Sequence, residues 1–415
     1  MMRCRHCHAA LGAPCLDLGT APPSNNFLLL EQLSQPEVFY PLKLRVCENC
    51  WLLQTEDFSR SSELFTDDYV YFSSVSSSWL DHAKTYSKIA IDRLDLHASS
   101  HVIEIASNDG YLLKNFMAAG IPCLGIEPTA STAQAATEIG IPVLREFFNL
   151  NLGMSLASTG KHADLIIGNN VFAHVPDIND FTAGMACLLK ESGSITLEFP
   201  HLLNLIGYNQ FDTVYHEHYS YLSLGTVKRI FEKAGLRVYD IDVIPTHGGS
   251  LRVWGCHAAA AIATNESVHK MLDTESRAGL GTRATYNNLQ DHAAAIKLAM
   301  LDFLLTQKRL GKKVAAYGAA AKGNTLLNYC GIKPDLLKVV FDAAQSKQGK
   351  FLPGSRIPVL APAAMTSIRP DFLIVFPWNI YAEVKTQVEK TVDWPICLVR
   401  AIPDFSIDAP LNVSN

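Results

Sequence analysis

Two C-x-x-C pairs, "CRHC" at Cys4–Cys7 and "CENC" at Cys47–Cys50, constrain this chain more than any other local feature. Two residues between cysteines let both thiolates point at one metal from a tight turn. Two such knuckles complete a tetrahedral shell of four sulfurs and leave no position for water. Cys4, Cys7, Cys47 and Cys50 are therefore expected to hold a structural Zn2+ that takes no part in chemistry. Residues 8–46 fill the interval with loop and strand, and His6 and His8, surplus to a full shell, are expected at the surface. Of the ten cysteines, the rest stand singly, which fits a reducing cytoplasm better than a secreted disulfide framework.

The totals narrow the class of partner. With 48% hydrophobic and 18% charged residues over 415 positions, packed domains are expected, two or three of them. A net charge of −5 without a long basic run argues against a nucleic-acid binder, and against a nucleic-acid reading of the zinc module. The opening "MMRCRHCHAA" lacks the apolar core of a secretory signal, and no segment approaches the ~20 apolar residues a membrane span needs. The expectation is a cytoplasmic protein without a membrane partner. No coiled-coil repeat is evident, so a monomer or small homo-oligomer is expected.

Past the helical stretch "SSSWLDHAKTYSKIAIDRL", the segment "HVIEIASNDGYLLKNFMAAGIPCLGIEP" reads as strand, tight turn, helix and strand. Its turn holds Ser107, Asn108, Asp109 and Gly110. Its second strand ends in Glu127, where a carboxylate is placed to take both hydroxyls of a ribose. "ADLIIGNNVFAHVPD" and "GSITLEFPH" add later strands, so the middle of the chain is an α/β, doubly wound parallel sheet. The G-x-G-x-x-G of a dinucleotide site is missing. A second unit starts near Gly311: "KKVAAYGAAAKGNTLLNYCGI" again gives strand, glycine turn and helix. Lys322 and Gly323 at that helix start are suited to a phosphate or diphosphate, and Asp342 either faces a ribose or caps a helix.

Taken together and in order, "CRHC…CENC", "EIASNDG…GIEP…GNNVFAHVPD", "YHEHYSYLSL", "HGGSLRVW" and "YGAAAKGNTLLN" resemble the nucleotide-sugar (deoxysugar) C-methyltransferases over nearly the whole chain. The turn itself resembles the first motif of class I S-adenosylmethionine methyltransferases, with Ala106 where the first glycine is usual. The resemblance implies three parts. These are a zinc-binding N-terminal domain (1–85), a central class I Rossmann-like domain binding S-adenosylmethionine (86–244) and a C-terminal Rossmann-like domain for the nucleotide sugar (245–415). It implies methylation of a keto-deoxysugar, carried on dTDP or GDP, at the carbon beside its carbonyl, with C3 of a 4-keto sugar as the position.

Such a reaction needs a base for the carbon-bound proton and a donor near the carbonyl oxygen. The resemblance places Tyr215, Glu217 and His218 at the sugar, with His218 as the base, His174 as the second histidine and Tyr69 as a tyrosine from the N-terminal segment. The roles of the two histidines are open to exchange, and Glu217 either orients His218 or binds a sugar hydroxyl. An extended strip would put Tyr215, Glu217 and Tyr219 on one face and His216 and His218 on the other; a turn would change that partition. His216 carries no assigned role. For the cofactor, Ser107, Asn108, Asp109 and Gly110 are expected against the methionine part, Glu127 on the ribose, and Asn169 or Asn170 near the adenine or amino acid. Lys322, Gly323 and Asn324 are expected at the diphosphate. O-methylation of another acceptor, or nucleotide-sugar binding without catalysis, are the alternative readings.

Overall fold

The computed structural model describes residues 2–58, 72–75 and 77–411, and organises them around three sheets. The first is antiparallel: β1 (Leu16–Ala21), β2 (Tyr40–Val46) and β3 (Leu53–Thr55) run side by side. Alternation in "YPLKLRV" turns Leu42, Leu44 and Val46 inward and leaves Lys43 and Arg45 facing outward. Its fourth strand comes from far along the chain: Ser220–Tyr221 (β9) pairs antiparallel with β3. The N-terminal sheet is thus completed by residues that follow directly on the His/Glu/Tyr strip.

The central sheet has seven strands. β4 (Val102–Ile105), β5 (Cys123–Ile126), β6 (Val143–Leu144), β7 (Ala163–Asn169) and β8 (Leu189–Pro200) are parallel to one another. β10 (Leu236–Ile244) and β11 (Ser250–His257) close one edge, with β11 inserted antiparallel between β10 and β8. The order is β10-β11-β8-β7-β4-β5-β6. Near-continuous apolar runs such as Ala163–Asn169 are what a sheet covered on both faces requires. This sheet runs past residue 244, because the partners of β11 lie in it, and the Ser77–Leu94 helix that covers it begins before residue 86.

The third sheet, β12 (Val314–Tyr317), β13 (Val340–Phe341), β14 (Val359–Leu360), β15 (Phe372–Val375), β16 (Cys397–Arg400) and β17 (Ser406–Ile407), has the order β14-β13-β12-β15-β16-β17. All its pairs are parallel except β16 with β17. Helices Glu266–Arg277 and Leu289–Arg309 lead into it. The cores do not respect sheet boundaries. Leu44 and Leu53 of the N-terminal sheet share one cluster with Leu326, Val340 and Ile374 of the C-terminal unit. Cys4, Cys47 and Cys50 pack with Ile166 and Phe199 of the central sheet.

Candidate active site

The turn after β4 is built from left-handed backbone. Ala106, Asn108 and Gly110 have φ of 58°, 49° and 76°. The Ala106 and Ser107 amides donate to the Ile126 carbonyl, and the Asn108 amide donates to Glu127 Oε2 at 2.9 Å. Glu127 Oε1 accepts from the Thr129 amide at 3.0 Å and from the Thr129 hydroxyl. The Asn108 and Asp109 side chains accept from the backbone amides of Ser73 and Ser74. Gly110 is required on two counts: its positive φ, and Ile141, Ala136 and Ile139, which a β-carbon would meet at 3.1–3.2 Å.

One cavity of about 590 Å³ connects this turn to the "YHEHY" strip and to the C-terminal unit. It is lined by Ala106, Asn108 and Glu127 at one end, by Asn169, Asn170 and His174 along the ends of β7, by Tyr215, Glu217 and His218, and by Lys322. Three groups of residues far apart in sequence therefore face one space, as a two-substrate reaction requires. Three of the expected cofactor residues do not line it. Ser107 is buried toward Gly125, on which a β-carbon would fall 2.4 Å from Ser107 Oγ; Asp109 is buried too, and Gly110 packs against Ala136, Ile139 and Ile141. Asn169 is 8% exposed, and both ends of its amide lack a hydrogen-bond partner among the described residues, as does Asn170 Oδ1. Buried amides without protein partners are what a ligand's polar groups would satisfy. With Glu127 at the end of β5, the lining fits S-adenosylmethionine.

The strip does not run extended. The His218 amide donates to the Tyr215 carbonyl at 2.9 Å, closing a turn over His216 and Glu217. That turn sends Tyr215, Glu217 and His218 to the cavity, while His216 points away. His216 is buried against Tyr40, with its Nε2 at 3.2 Å from the Pro41 carbonyl. His218 Nδ1 is 2.9 Å from the Thr213 carbonyl, which only accepts, so that nitrogen carries the proton and Nε2 is the basic one. Nε2 in turn accepts from the Tyr215 hydroxyl at 2.8 Å. Asn25, from the N-terminal unit, donates to both oxygens of Glu217 at 2.8 and 2.9 Å. Burial lowers the His174 pKa to about 4, against the pull of a hydrogen bond with the Glu217 backbone. Tyr69 lies outside the described residues.

At the far end, Lys322 Nζ donates to Asn379 Oδ1 at 2.9 Å and sits 4.1 Å above the Trp378 ring. The Trp378 indole donates to Asp212 Oδ2 at 2.8 Å. Burial lowers Lys322 to about 8, although the Asp212 charge opposes this; burial likewise raises Asp212 to about 6. Gly323 and Asn324 are turned away from the cavity. A β-carbon on Gly323 would meet Phe376 at 2.6 Å, and Asn324 is buried with its Nδ2 on the Ser24 carbonyl. Asp342 accepts from the amides of Ala319 and Ala344 and so braces the glycine turn. "HGGS" joins units: β-carbons on Gly248 and Gly249 would fall 2.3 Å from Trp378 and 2.1 Å from Asn204.

The four cysteine sulfurs lie within 4.8 Å of one another, with Cys4–Cys50 at 3.5 Å and Cys7–Cys47 at 3.4 Å. Zinc–sulfur bonds of about 2.3 Å in a tetrahedron need sulfurs near 3.8 Å apart, so the cage fits a structural Zn2+. His6 departs from expectation. It is 5% exposed, with Nδ1 at 2.8 Å from Asn179 Oδ1, while Asn179 Nδ2 donates to the Arg5 and His6 carbonyls. It pins the knuckle to the central unit. Sequence reasoning also missed Asn25, Trp378 and Asp212, whose roles arise only when distant segments meet. Among the described residues no helix is long and apolar enough to cross a membrane.

Comparison with known families assigns each part. A zinc-binding-domain family matches residues 4–65, a methyltransferase-domain family residues 81–241, and the C-methyltransferase C-terminal domain residues 245–403. The C-methyltransferase NovU of Streptomyces niveus is 33% identical over 381 residues, 92% of this chain and 90% of that protein. An uncharacterized methyltransferase of Mycobacterium leprae (strain Br4923) is 24% identical over 205 residues, 45% of this chain and 73% of that protein. The magnesium protoporphyrin IX methyltransferase of Synechocystis PCC 6803 with bound SAM is 14% identical and covers 43% of this chain and 77% of that one. Its TM-score of 0.32 is too slight to bear on activity. This chain belongs to the zinc-containing, S-adenosylmethionine-dependent C-methyltransferases.

Proposed function

We propose that this enzyme methylates the carbon beside the carbonyl of a nucleotide-linked keto-deoxysugar, C3 of a 4-keto sugar on dTDP or GDP, through an enolate raised by His218. The observation that carries the reading is the His218 tautomer. With Nδ1–H on the Thr213 carbonyl, the basic nitrogen is Nε2, which accepts from the Tyr215 hydroxyl at the cavity. A neutral imidazole is a base matched to neutral pH, and its backbone hydrogen bond holds the ring in orientation.

When bound, S-adenosylmethionine supplies an electrophilic methyl group. His218 Nε2 takes the proton from the carbon and leaves the electron pair in the enolate, the carbon nucleophile to which the bound donor would supply its methyl group. The proton stays on His218 until solvent removes it. Tyr215, on that nitrogen in the present structure, turns its hydroxyl toward the enolate oxygen. His174, kept neutral by burial, serves as a donor without adding charge. Asn108, Glu127, Asn169 and Asn170 hold the methyl donor, and Lys322 meets the diphosphate of a soluble, cytoplasmic sugar nucleotide.

The test is solvent-deuterium exchange by mass spectrometry, using a panel of dTDP- and GDP-linked 4-keto-6-deoxysugars with S-adenosylhomocysteine in place of the donor. Exchange beside the carbonyl that disappears in His218→Asn is the expected result. Exchange that survives there but vanishes in His174→Asn would move the base to His174. No exchange with any sugar would sink the carbon-acid reading.

A further inference from the structure

The acceptor end of the cavity is held by two side chains that neighbour each other on one helix. In the C-terminal unit, helix Ala321–Cys330 presents Asn324 and Thr325, each 1% exposed. Asn324 Nδ2 donates to the Ser24 carbonyl at 2.6 Å, and Thr325 Oγ1 donates to the Val214 carbonyl at 2.8 Å. Ser24 precedes Asn25, and Val214 precedes Tyr215. One helix therefore fixes both segments that converge on Glu217: the loop that carries the amide and the turn that carries the carboxylate.

The loop has other anchors. Leu28 forms an antiparallel bridge with Phe351, with hydrogen bonds of 2.9 and 2.8 Å. Gly354 lies so close to Pro22 that a β-carbon would meet its Cδ at 2.9 Å. The loop is thus pressed between the C-terminal unit and the strip, and Asn25 faces the cavity with its amide on both carboxylate oxygens. An amide that donates to an ionised carboxylate fixes its plane and takes up one direction of approach.

We infer that Asn25, locked from behind by Asn324, is a positioning residue that sets where the Glu217 carboxylate points toward the acceptor. The inference rests on the carbon-acid reading of this site. Glu217 is then held in one orientation beside the acceptor, and the C-terminal unit becomes part of the geometry of proton transfer as well as a platform for the nucleotide. A misplacement of about 1 Å at a reacting centre costs on the order of 100-fold in rate.

The experiment compares wild type, Asn25→Ala and Asn25→Asp in methyl transfer to the 4-keto sugar that wild type accepts, at saturating S-adenosylmethionine across pH 5–9. S-adenosylhomocysteine affinity and melting temperature serve as controls. Expected is a kcat lowered about 10- to 100-fold in Asn25→Ala with S-adenosylhomocysteine affinity unchanged. In Asn25→Asp a second carboxylate faces the first, and the acidic limb of the pH–rate profile moves up by roughly a pH unit or more. If Asn25→Ala does not fold, the isosteric Asn25→Asp carries the test through its profile. Wild-type kcat in Asn25→Ala, or equal losses in both variants with coincident profiles, would overturn the inference and leave the loop a packing element. A wild-type enzyme that neither exchanges nor methylates any keto sugar would fail the reading itself, and the inference with it.

Discussion

His174 and His218 meet edge to face, with ring centroids 4.6 Å apart, across the wall of the cavity. The two rings come from different places, the short turn after β7 and the closed strip. Burial lowers the pKa of His174 from 6.5 to about 4. The unfolded chain therefore takes up a proton at His174 below about pH 6.5, whereas the folded one does so only near pH 4. Stability from this group is fully present above pH 6.5 and is lost as pH falls toward 4. On the order of 2 kcal/mol is at stake, less than the full shift because the ring borders the cavity. Urea midpoints at pH 7.5 and pH 5 should differ more in wild type than in His174→Asn.

The zinc cage makes a separate prediction. Metal analysis should give one Zn2+ per chain. Cys4→Ser or Cys50→Ser should lose it with a fall in melting temperature of many degrees, since the knuckle is packed directly on the central sheet. Cys15, whose sulfur donates to the Leu44 carbonyl, should be replaceable by Ser without loss of metal.

Ala106 sits at φ 58°, where an L side chain costs about 1–2 kcal/mol and glycine does not. Ala106→Gly should raise the melting temperature or leave it unchanged, despite the extra freedom of the unfolded chain. Affinity for S-adenosylhomocysteine should stay within about twofold. Ala106→Val should lower both. Differential scanning calorimetry and isothermal titration give the two readouts.

Gly248 offers a sharper mechanical test. A methyl group there lies 2.3 Å from Trp378, and Trp378 holds Asp212 and covers Lys322. Gly248→Ala should destabilise by about 1–3 kcal/mol, the usual cost of overpacking, with added strain from φ +90°. It should also raise the KM for the sugar nucleotide more than that for S-adenosylmethionine.

What the sequence revealed follows the range of the forces involved. The cysteine knuckles, the β4 turn and the glycine turn after β12 are each made by a few adjacent residues, so spacing alone announces them. Asn25 and Glu217 are 192 positions apart, and nothing in "PPSNN" marks an amide bound for a carboxylate. Gly323 looked like a phosphate-binding glycine because small residues are needed both for ligands and for close packing. Phe376 decides between those uses, and it directly follows β15, the strand paired with β12. His6 is surplus to a zinc shell that is complete without it, and the partner that buries it, Asn179, is in another unit. The turn in the strip was invisible because an alternating polar run has the same composition whether it runs straight or folds back.

The strand Ser220–Tyr221 gives the enzyme an indivisible character. It extends the N-terminal sheet immediately after His218, while Thr325 grips Val214 just before Tyr215. The short piece of chain that would handle the proton is thus strung between two outer units, and the central one holds it as well, through the Tyr219 amide on the Ala173 carbonyl at 2.8 Å. Cutting the chain to its central part would remove both of those outer anchors at once.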